Sequence, residues 1–147
     1  MKKINIEHFD ISETNSLLFI QNELNLNILS KSNILDDLKN PNFNYIVAKV
    51  DNMIVGFATF LAISEIEIEC IVVKKEFQRM GIGTLLLEYI INTAKKRQIK
   101  NIFLEVRKSN ISAISLYTKN KFEIISKRKN YYSDTGEDAL ILRREVD

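Results

Sequence analysis

The feature that most limits how this chain can fold is a strand, a short loop with two glycines and a helix, all within residues 66–98. The segment Ile66–Val73 alternates apolar with acidic residues and then becomes wholly apolar, which predicts a β-strand. After the loop, apolar side chains recur at helical spacing and basic ones follow in the last turn, which predicts an amphipathic helix. The chain has four glycines, and two of them, Gly81 and Gly83, lie in this loop. Their placement indicates a specific backbone requirement there.

The glycine loop has the properties of an anion site. Glycine tolerates positive φ and lets a ligand approach the backbone closely. The first turn of a helix also presents unpaired N–H groups and a partial positive charge. The loop therefore predicts either a phosphate site or a tight turn that needs glycine for its own geometry. A Walker loop is excluded because Thr84, not Lys, follows Gly83, and a dinucleotide fingerprint is disfavoured because Leu86 replaces its third glycine.

Composition restricts the class of protein. A chain of 147 residues, 46% hydrophobic and 27% charged, is expected to form one domain, residues 1–147. Cys70 is the single cysteine and His8 the single histidine, so we expect no internal disulfide, no metal cluster and no histidine-based triad. A net charge of +2 and the absence of a long apolar run argue against nucleic-acid and membrane partners. We expect a cytoplasmic monomer or weak dimer.

The other elements follow from periodicity and turn signals. Strands are predicted near residue 4 and at 45–50, 53–63, 102–106, 122–129 and 138–144. Helices are predicted from a cap at Asp10 or Ser12, around residues 34–38, and from Ser109 or Asn110 to about residue 120. The helix after the glycine loop should return the chain across the sheet, so that strand 102–106 lies parallel to strand 66–73.

Part of this pattern resembles the GNAT acetyltransferase family. Val72-Val73 followed by Gln78-Arg79-Met80-Gly81-Ile82-Gly83 is similar to its acetyl-CoA signature, Q/R-x-x-G-x-G/A. The resemblance implies an α/β fold, with a mostly antiparallel mixed sheet, helices on both faces, and fourth and fifth strands that splay to admit acetyl-CoA. It also implies the cofactor contacts: the pantetheine arm along Ile71, Val72 and Val73, and the pyrophosphate on the amides of Arg79, Met80, Gly81, Ile82, Gly83 and Thr84.

Later segments are similar to the RimI branch of that family. The matching segments are 104–110, Ala113, Leu116-Tyr117, 128–132 and 136–139. That branch acetylates protein N-termini, with the alanine of ribosomal protein S18 as its type substrate, so the resemblance implies a protein N-terminus as partner. It implies that Glu105 accepts a proton, Tyr117 donates one to the departing thiolate and Asn110 contacts the cofactor. Tyr131 and Tyr132 would line the peptide groove.

The chain departs from the RimI pattern in ways that bear on the acceptor. It has no tryptophan, whereas RimI-like enzymes usually carry a Pro-Trp pair before the second strand, and its single proline is Pro41. Lys121 stands where glycine is common, and Ser133 where proline is common after the tyrosine pair. The resemblance therefore leaves the preferred acceptor open.

The residues proposed for chemistry also have structural alternatives. Transfer of an acetyl group to an amine needs a proton acceptor, donors for the oxyanion and a proton for the leaving thiolate. Glu105, among apolar neighbours, is either that acceptor or a rim carboxylate of a half-exposed strand. Tyr117 is either the proton donor or a core tyrosine, and Asn110 either a cofactor contact or a helix cap. Tyr131 and Tyr132 line a groove or belong to an exposed hairpin.

An acidic strand face completes the set of candidate residues. Glu65, Glu67 and Glu69 alternate with apolar residues, so they share one face, which is either solvated or forms a wall that attracts a cationic amine. Three functions stay open: N-acetylation of a protein N-terminus, N-acetylation of a small amine such as a polyamine or aminoglycoside, and CoA binding without catalysis. Glu105 and Tyr117 favour catalysis, because a binding module needs neither. No metal is expected, and acetyl-CoA is the expected cosubstrate.

Overall fold

A computed structural model describes residues 2–147 as a seven-stranded sheet with helices on both faces. The strands are β1 Ile4–His8, β2 Phe43–Val50, β3 Met53–Ala62, β4 Ile66–Val73, β5 Asn101–Arg107, β6 Glu123–Tyr132 and β7 Glu137–Glu145. The helices are α1 Thr14–Glu23, α2 Lys31–Leu38, α3 Ile82–Lys96 and α4 Ile111–Lys119. The strand order is β1-β2-β3-β4-β5-β7-β6, and among the described residues only β4 and β5 pair in parallel. The predicted mixed, mostly antiparallel α/β fold is confirmed.

β4 and β5 pair only at their N-terminal ends. The register joins Ile66 with Ile102 and continues for three residue pairs, ending at Ile68 with Leu104. Beyond that point β4 keeps its antiparallel neighbour β3, and β5 keeps β7. The second half of β4 therefore has a free backbone edge that faces the gap between the two strands. This is the predicted splay.

Side-chain alternation assigns the two faces of the sheet to different helices. Ile66, Ile68 and Leu104 are buried in a core that contains the apolar face of α3 and the Tyr117 ring from α4. The opposite face packs against α1 and α2 through a second buried cluster that includes Leu17 and Ile34. Full burial of one such aliphatic side chain contributes about 1.5–3 kcal/mol relative to exposure. Glu67 and Glu69, one residue out of phase with the buried isoleucines, are exposed on the α1–α2 face.

Caps set the ends of several helices. Asp10 forms a capping box with Glu13 around a 3-10 turn, Ile11–Glu13, which leads into α1. Ser30 caps α2, which ends ahead of Pro41 as predicted. Lys121 follows α4 in the left-handed region, with φ 69°, at the position where glycine is common in the family that the sequence resembles. No helix within residues 2–147 is both long enough and apolar enough to cross a bilayer.

The β6–β7 hairpin contains a bulge that the sequence did not indicate. Lys127 and Arg128 pair with Leu140 and Ala139, but the next pair joins Tyr132 to Glu137. Asn130, inside the bulge, has φ 52°, and its N–H donates to the Asp138 carboxylate at 2.9 Å instead of to a strand. Pairing resumes at Tyr132, so β6 ends three residues beyond the predicted end at Lys129. A bulge of this kind bends the strand and redirects its side chains.

Candidate active site

A cavity of about 410 Å³ opens where β4 and β5 begin to separate. Its walls come from β4, β5, β6 and β7: Glu67, Ile68, Glu69, Phe103, Leu104, Glu105, Arg128, Tyr131, Tyr132 and Ile141. Five residues that the sequence analysis singled out, two from β4, one from β5 and the two tyrosines of β6, therefore lie around one space. Glu67, Glu69 and Glu105 make that space acidic, and Arg128 is the cation in its lining.

The electrostatics of the cavity are clearest at Glu69. The Glu69 side chain reaches solvent, but its carboxyl is partly buried in the cavity, and this partial burial, followed by repulsion from Glu67, Asp37 and Glu105, raises its pKa. Asp37 also accepts a hydrogen bond from the Tyr45 hydroxyl at 2.5 Å, which attaches α2 to β2. Asp37 was not among the candidate residues predicted from the sequence. Its signal is weak: an acidic residue in the last turn of a helix opposes the helix dipole.

Glu105 takes part in an ion pair that the sequence analysis did not anticipate. Its Oε1 lies 3.2 Å from Nε of Arg128, and the two side chains are 30% and 56% exposed. The Arg128 guanidinium also lies 5.6 Å from the centre of the Tyr131 ring, within the range of a cation–π contact. Arg128 reaches Glu105 across β7, past Ile141, which pairs with Glu105.

Arg107, at the end of β5, holds the turn of the β6–β7 hairpin. Its guanidinium contacts Asp134 at 3.0 Å and Glu137 at 3.5 Å and lies 3.9 Å from the centre of the Tyr132 ring. The Arg107 hydrogen bond lowers the pKa of Asp134. Glu137 accepts a further hydrogen bond from the backbone N–H of Ser109 at 2.5 Å. The wall of the cavity formed by Tyr132 is thus fixed to β5, a role that the sequence did not reveal for Arg107.

The two glycines of the loop are needed for different physical reasons. Gly81 caps α3 with φ 84°, and a Cβ built there would meet no atom within 4 Å, so the space in front of it is open. Arg79 also has positive φ, 64°. A Cβ at Gly83 would lie 3.3 Å from the Leu116 side chain, so this glycine permits close packing of α3 on α4. The predicted backbone requirement is therefore found at Gly81, whereas glycine is needed at position 83 because α3 packs closely against α4.

The loop is attached directly to the free edge of β4. The Gln78 side chain donates to the Val73 carbonyl at 3.0 Å, which connects the loop with the end of the strand. From Glu69 in the cavity to Val73 the strand covers about 13 Å at 3.3 Å per residue. The first N–H groups of α3, those of Ile82, Gly83 and Thr84, have no partner inside the helix. The splayed edge of β4 therefore leads from the acidic cavity to a set of free backbone donors.

Tyr117 and Asn110 lie apart from the residues that line the cavity. Tyr117 is 6% exposed and its ring packs against Phe122 at 5.5 Å between centres. Burial, and then the proximity of Cys70, raises the pKa of its hydroxyl. That hydroxyl forms no hydrogen bond with another residue in the range 2–147. The side chain of Asn110 accepts from the Ala113 N–H at 3.2 Å and caps α4, which is the structural alternative considered above.

Cys70 has the environment of a neutral core thiol. Its sulfur lies 3.3 Å from the Thr59 hydroxyl, and the side chain packs against the core on the α1–α2 face. Burial raises the pKa of the thiol to about 11. Because the thiolate is the reactive form of cysteine, this group is a poor nucleophile at neutral pH.

Comparison with protein families gives a match over residues 12–122 to the acetyltransferase (GNAT) family. Curated relatives include the ribosomal protein bS18-alanine N-acetyltransferase of Escherichia coli, 40% identical over 86 residues, which are 57% of this chain and 58% of that protein. An N-alpha-acetyltransferase of Saccharolobus solfataricus is 36% identical over 126 residues, covering 76% of this chain and 75% of the relative.

Solved structures extend the similarity to the whole fold. The crystal structure of the Escherichia coli ribosomal-protein-S18-alanine N-acetyltransferase superposes with a TM-score of 0.89 at 26% identity, covering 99% of this chain and 95% of that one. A GNAT family acetyltransferase from Elizabethkingia anophelis, solved with acetyl-CoA bound, gives a TM-score of 0.77 at 26% identity over 97% of this chain and 98% of that one.

Proposed function

The chain belongs to the GNAT acetyltransferase family, and we propose that it transfers the acetyl group of acetyl-CoA to the α-amine of a protein N-terminus. The observation that carries an amine as acceptor is the acidic cavity at the β4–β5 gap, lined by Glu67, Glu69, Glu105 and the two tyrosines of β6. An acidic space of this kind attracts an ammonium group. The S18-alanine N-acetyltransferases among its relatives support the same acceptor class. We propose that residues 1–147 act as one domain.

The residues around the glycine loop fit acetyl-CoA. We propose that the amides from Arg79 to Thr84 hold its pyrophosphate, since the space in front of Gly81 is open and the first turn of α3 has free N–H groups. The pantetheine arm would pair with the free edge of β4 at Ile71, Val72 and Val73. The Val73 carbonyl accepts from Gln78 with one lone pair, so its second lone pair and the Val73 N–H are available for that pairing. We assign Asn110 a cofactor contact through the part of its amide not used in capping α4.

The protonation of the amine favours an N-terminus over a lysine. A free α-amine titrates near pH 8, whereas a lysine side chain titrates near 10.4. At pH 7–8 the neutral fraction of the α-amine is therefore over a hundredfold larger, a difference of about 3 kcal/mol. This advantage exists before any specific contact with Tyr131 or Tyr132 is counted.

The proton transfers are assigned to two side chains. In this proposal Glu105 takes a proton from the acceptor ammonium, and the amine nitrogen then forms a bond to the acetyl carbon. As the carbon–sulfur bond breaks, Tyr117 gives its proton to the departing thiolate, and the second proton that the amine nitrogen loses on becoming an amide restores the Tyr117 hydroxyl. The raised pKa of Tyr117 keeps its proton in place at neutral pH, as a donor requires. The neutral thiol of Cys70 supports direct transfer without an acyl-cysteine intermediate.

The acceptor class is tested with matched peptides. A peptide beginning Ala-Arg should be acetylated, while the same peptide blocked at its N-terminus and carrying an internal lysine should react at least tenfold more slowly. Product formation is followed by mass spectrometry. A polyamine and an aminoglycoside are assayed in parallel, because the acidic cavity also suits these cations. Equal rates on free and blocked peptides, or faster reaction of a small amine, would contradict the proposal.

The role of Glu105 is tested by Glu105→Gln. We expect kcat to fall by 10²–10⁴-fold at neutral pH, the usual contribution of a general base, with partial recovery as pH rises and hydroxide substitutes. Glu88→Gln, which removes an exposed carboxylate from α3, is the matched control and should leave kcat unchanged. An unchanged kcat in Glu105→Gln would assign this carboxylate to the rim of the sheet.

A further inference from the structure

The ion pair between Arg128 and Glu105 places a cation where the proposed reaction needs the acceptor ammonium. Nε of Arg128 lies 3.2 Å from Oε1 of Glu105, the carboxylate assigned above as proton acceptor. An ammonium within hydrogen-bond reach of Glu105 would compete with Arg128 for this oxygen. The guanidinium cannot give up a proton in a protein, so its pair with Glu105 is a stable charge contact that leads to no chemistry.

The shape of β6 directs Arg128 into the cavity. The register of β6 against β7 shifts once between Ile124 and Ser126, and is broken again directly after Arg128 by the bulge that ends at Tyr132. In this bulge the Asn130 N–H donates to the Asp138 carboxylate instead of to a neighbouring strand. The centre of the Tyr131 ring lies 5.6 Å from the Arg128 guanidinium. An ammonium at the same place would meet the same two partners, the Glu105 carboxylate and the Tyr131 ring, both of which attract cations.

We propose that Arg128 is a positioning residue that fills the cationic place of the acceptor in the free enzyme and is displaced by the acceptor ammonium. The inference rests on the proposed role of Glu105. The side chain of Arg128 is 56% exposed, so it has solvent into which to move. Its displacement leaves three carboxylates of the cavity lining, Glu67, Glu69 and Glu105, facing the acceptor. An acceptor without a positive charge cannot form an ion pair with Glu105 to replace the one that is lost when Arg128 moves away.

The reaction itself reverses this competition. Acetylation removes two protons from the ammonium nitrogen, one through Glu105 and one that balances the proton given to the CoA thiolate, and makes a neutral amide, so the product nitrogen no longer pairs with Glu105. The proton passes from Glu105 to solvent, and the restored carboxylate pairs again with Arg128. The ion pair therefore lowers affinity for acceptor and product alike, while the ammonium recovers part of this loss and the amide recovers none. The consequence is that the neutral product binds more weakly than the ammonium acceptor, and that Arg128 favours the release of both.

The proposal is tested by equilibrium binding, which needs no turnover. The probes are a peptide beginning Ala-Arg with a free α-amine and the same peptide acetylated at its N-terminus. In Arg128→Gln the dissociation constants of both should fall by about two- to fivefold, the range expected for loss of a partly exposed ion pair. Lys127→Gln removes a neighbouring exposed cation of β6 and should leave both constants unchanged. A higher dissociation constant in Arg128→Gln would overturn the proposal, because Arg128 would then hold the peptide directly.

Two further variants show whether Glu105 mediates the effect. Arg128→Lys keeps a cation that can pair with Glu105, so its dissociation constants should stay nearer to wild type than those of Arg128→Gln. In a Glu105→Gln background, Arg128→Gln should no longer change the affinity for the acetylated peptide, because their coupling has been removed. A persisting change in that background would overturn the proposal. The proposed function fails separately, if the wild-type enzyme binds the free peptide without transferring acetyl to it.

Discussion

At the scale of single residues, Glu69 shows that the ionised carboxylates of the acidic cavity repel one another in the folded protein. Its pKa is raised by burial first, and then by the neighbouring carboxylates Glu67, Asp37 and Glu105. Between the unfolded pKa and the raised folded pKa, the folded protein binds more protons than the unfolded one. Stability contributed by this group is therefore lost as pH rises through that window. A cationic acceptor would relieve the same repulsion.

Glu69→Gln should raise the melting temperature at pH 7.5, because the neutral amide removes the repulsion. The gain should shrink as pH falls toward 4, because over this range the wild-type carboxyl takes up its proton first in the folded and then in the unfolded state. Thermal unfolding followed by circular dichroism across this pH range measures the difference. Glu88→Gln on the exposed face of α3 serves as the control. A gain of equal size at all pH values would show that titration of Glu69 is not its source.

Tyr117→Phe separates chemistry from packing. The substitution removes the proposed proton donor and keeps the buried ring that packs on Phe122. We expect kcat to fall while acetyl-CoA still raises the melting temperature by as much as in wild type. Steady-state rates and thermal shifts are measured on the same preparation. Loss of the thermal shift with unchanged turnover would assign Tyr117 to packing alone.

At the scale of elements, strand and helix periodicity were enough to predict the β4–loop–α3 unit and its parallel return to β5, and the two glycines predicted the backbone requirement that φ 84° at Gly81 explains. The bulge in β6 was not predictable in this way, because it depends on a side chain of the facing strand, Asp138, which takes the Asn130 N–H. The pairing of Arg128 with Glu105 has the same origin. The two residues belong to strands that are not neighbours in the sheet, and no local pattern joins them.

Gly81→Val tests the glycine loop as an element. A β-branched residue at φ 84° is strained by about 1–2 kcal/mol, and its side chain would fill the open space in front of the loop. Gly136→Val provides a matched control, since Gly136 has φ 72° and equally open surroundings but lies in the β6–β7 turn. Both variants should lose similar stability, and only Gly81→Val should lose the rise in melting temperature with acetyl-CoA. Retention of that rise in Gly81→Val would contradict the cofactor assignment.

At the scale of the whole molecule, three residue pairs between β4 and β5 join the two halves of the sheet. The core against α3 crosses this junction, since it contains Ile46 and Ala48 from β2 together with Ile102 and Leu142 from β5 and β7. The splay needed by the proposed site therefore does not divide the molecule into separate cooperative units. Sequence periodicity could predict the buried faces, but the length of the β4–β5 pairing depends on where the sheet twists apart.

Ile102→Ala should lower the free energy of unfolding by about 2–5 kcal/mol, because it removes a fully buried side chain at the junction. Urea unfolding should stay a single transition when followed by circular dichroism and by tyrosine fluorescence, which is available because the chain has no tryptophan. Ile125→Ala, at a position 43% exposed on β6, should change stability by less than about 0.5 kcal/mol. Two separate transitions would show that the halves unfold independently.

The placement of the glycine loop and the acidic cavity on opposite faces of the splayed sheet has a kinetic consequence. The loop begins α3 on one face, and the carboxylates of β4 and β5 stand on the other. In the proposed arrangement the donor and the acceptor each reach the gap from one side of the sheet, so neither would have to leave before the other enters. Initial velocities measured over a grid of both concentrations should therefore give intersecting double-reciprocal lines, the pattern of a ternary complex. Parallel lines would require an acetylated enzyme, which the neutral thiol of Cys70 disfavours.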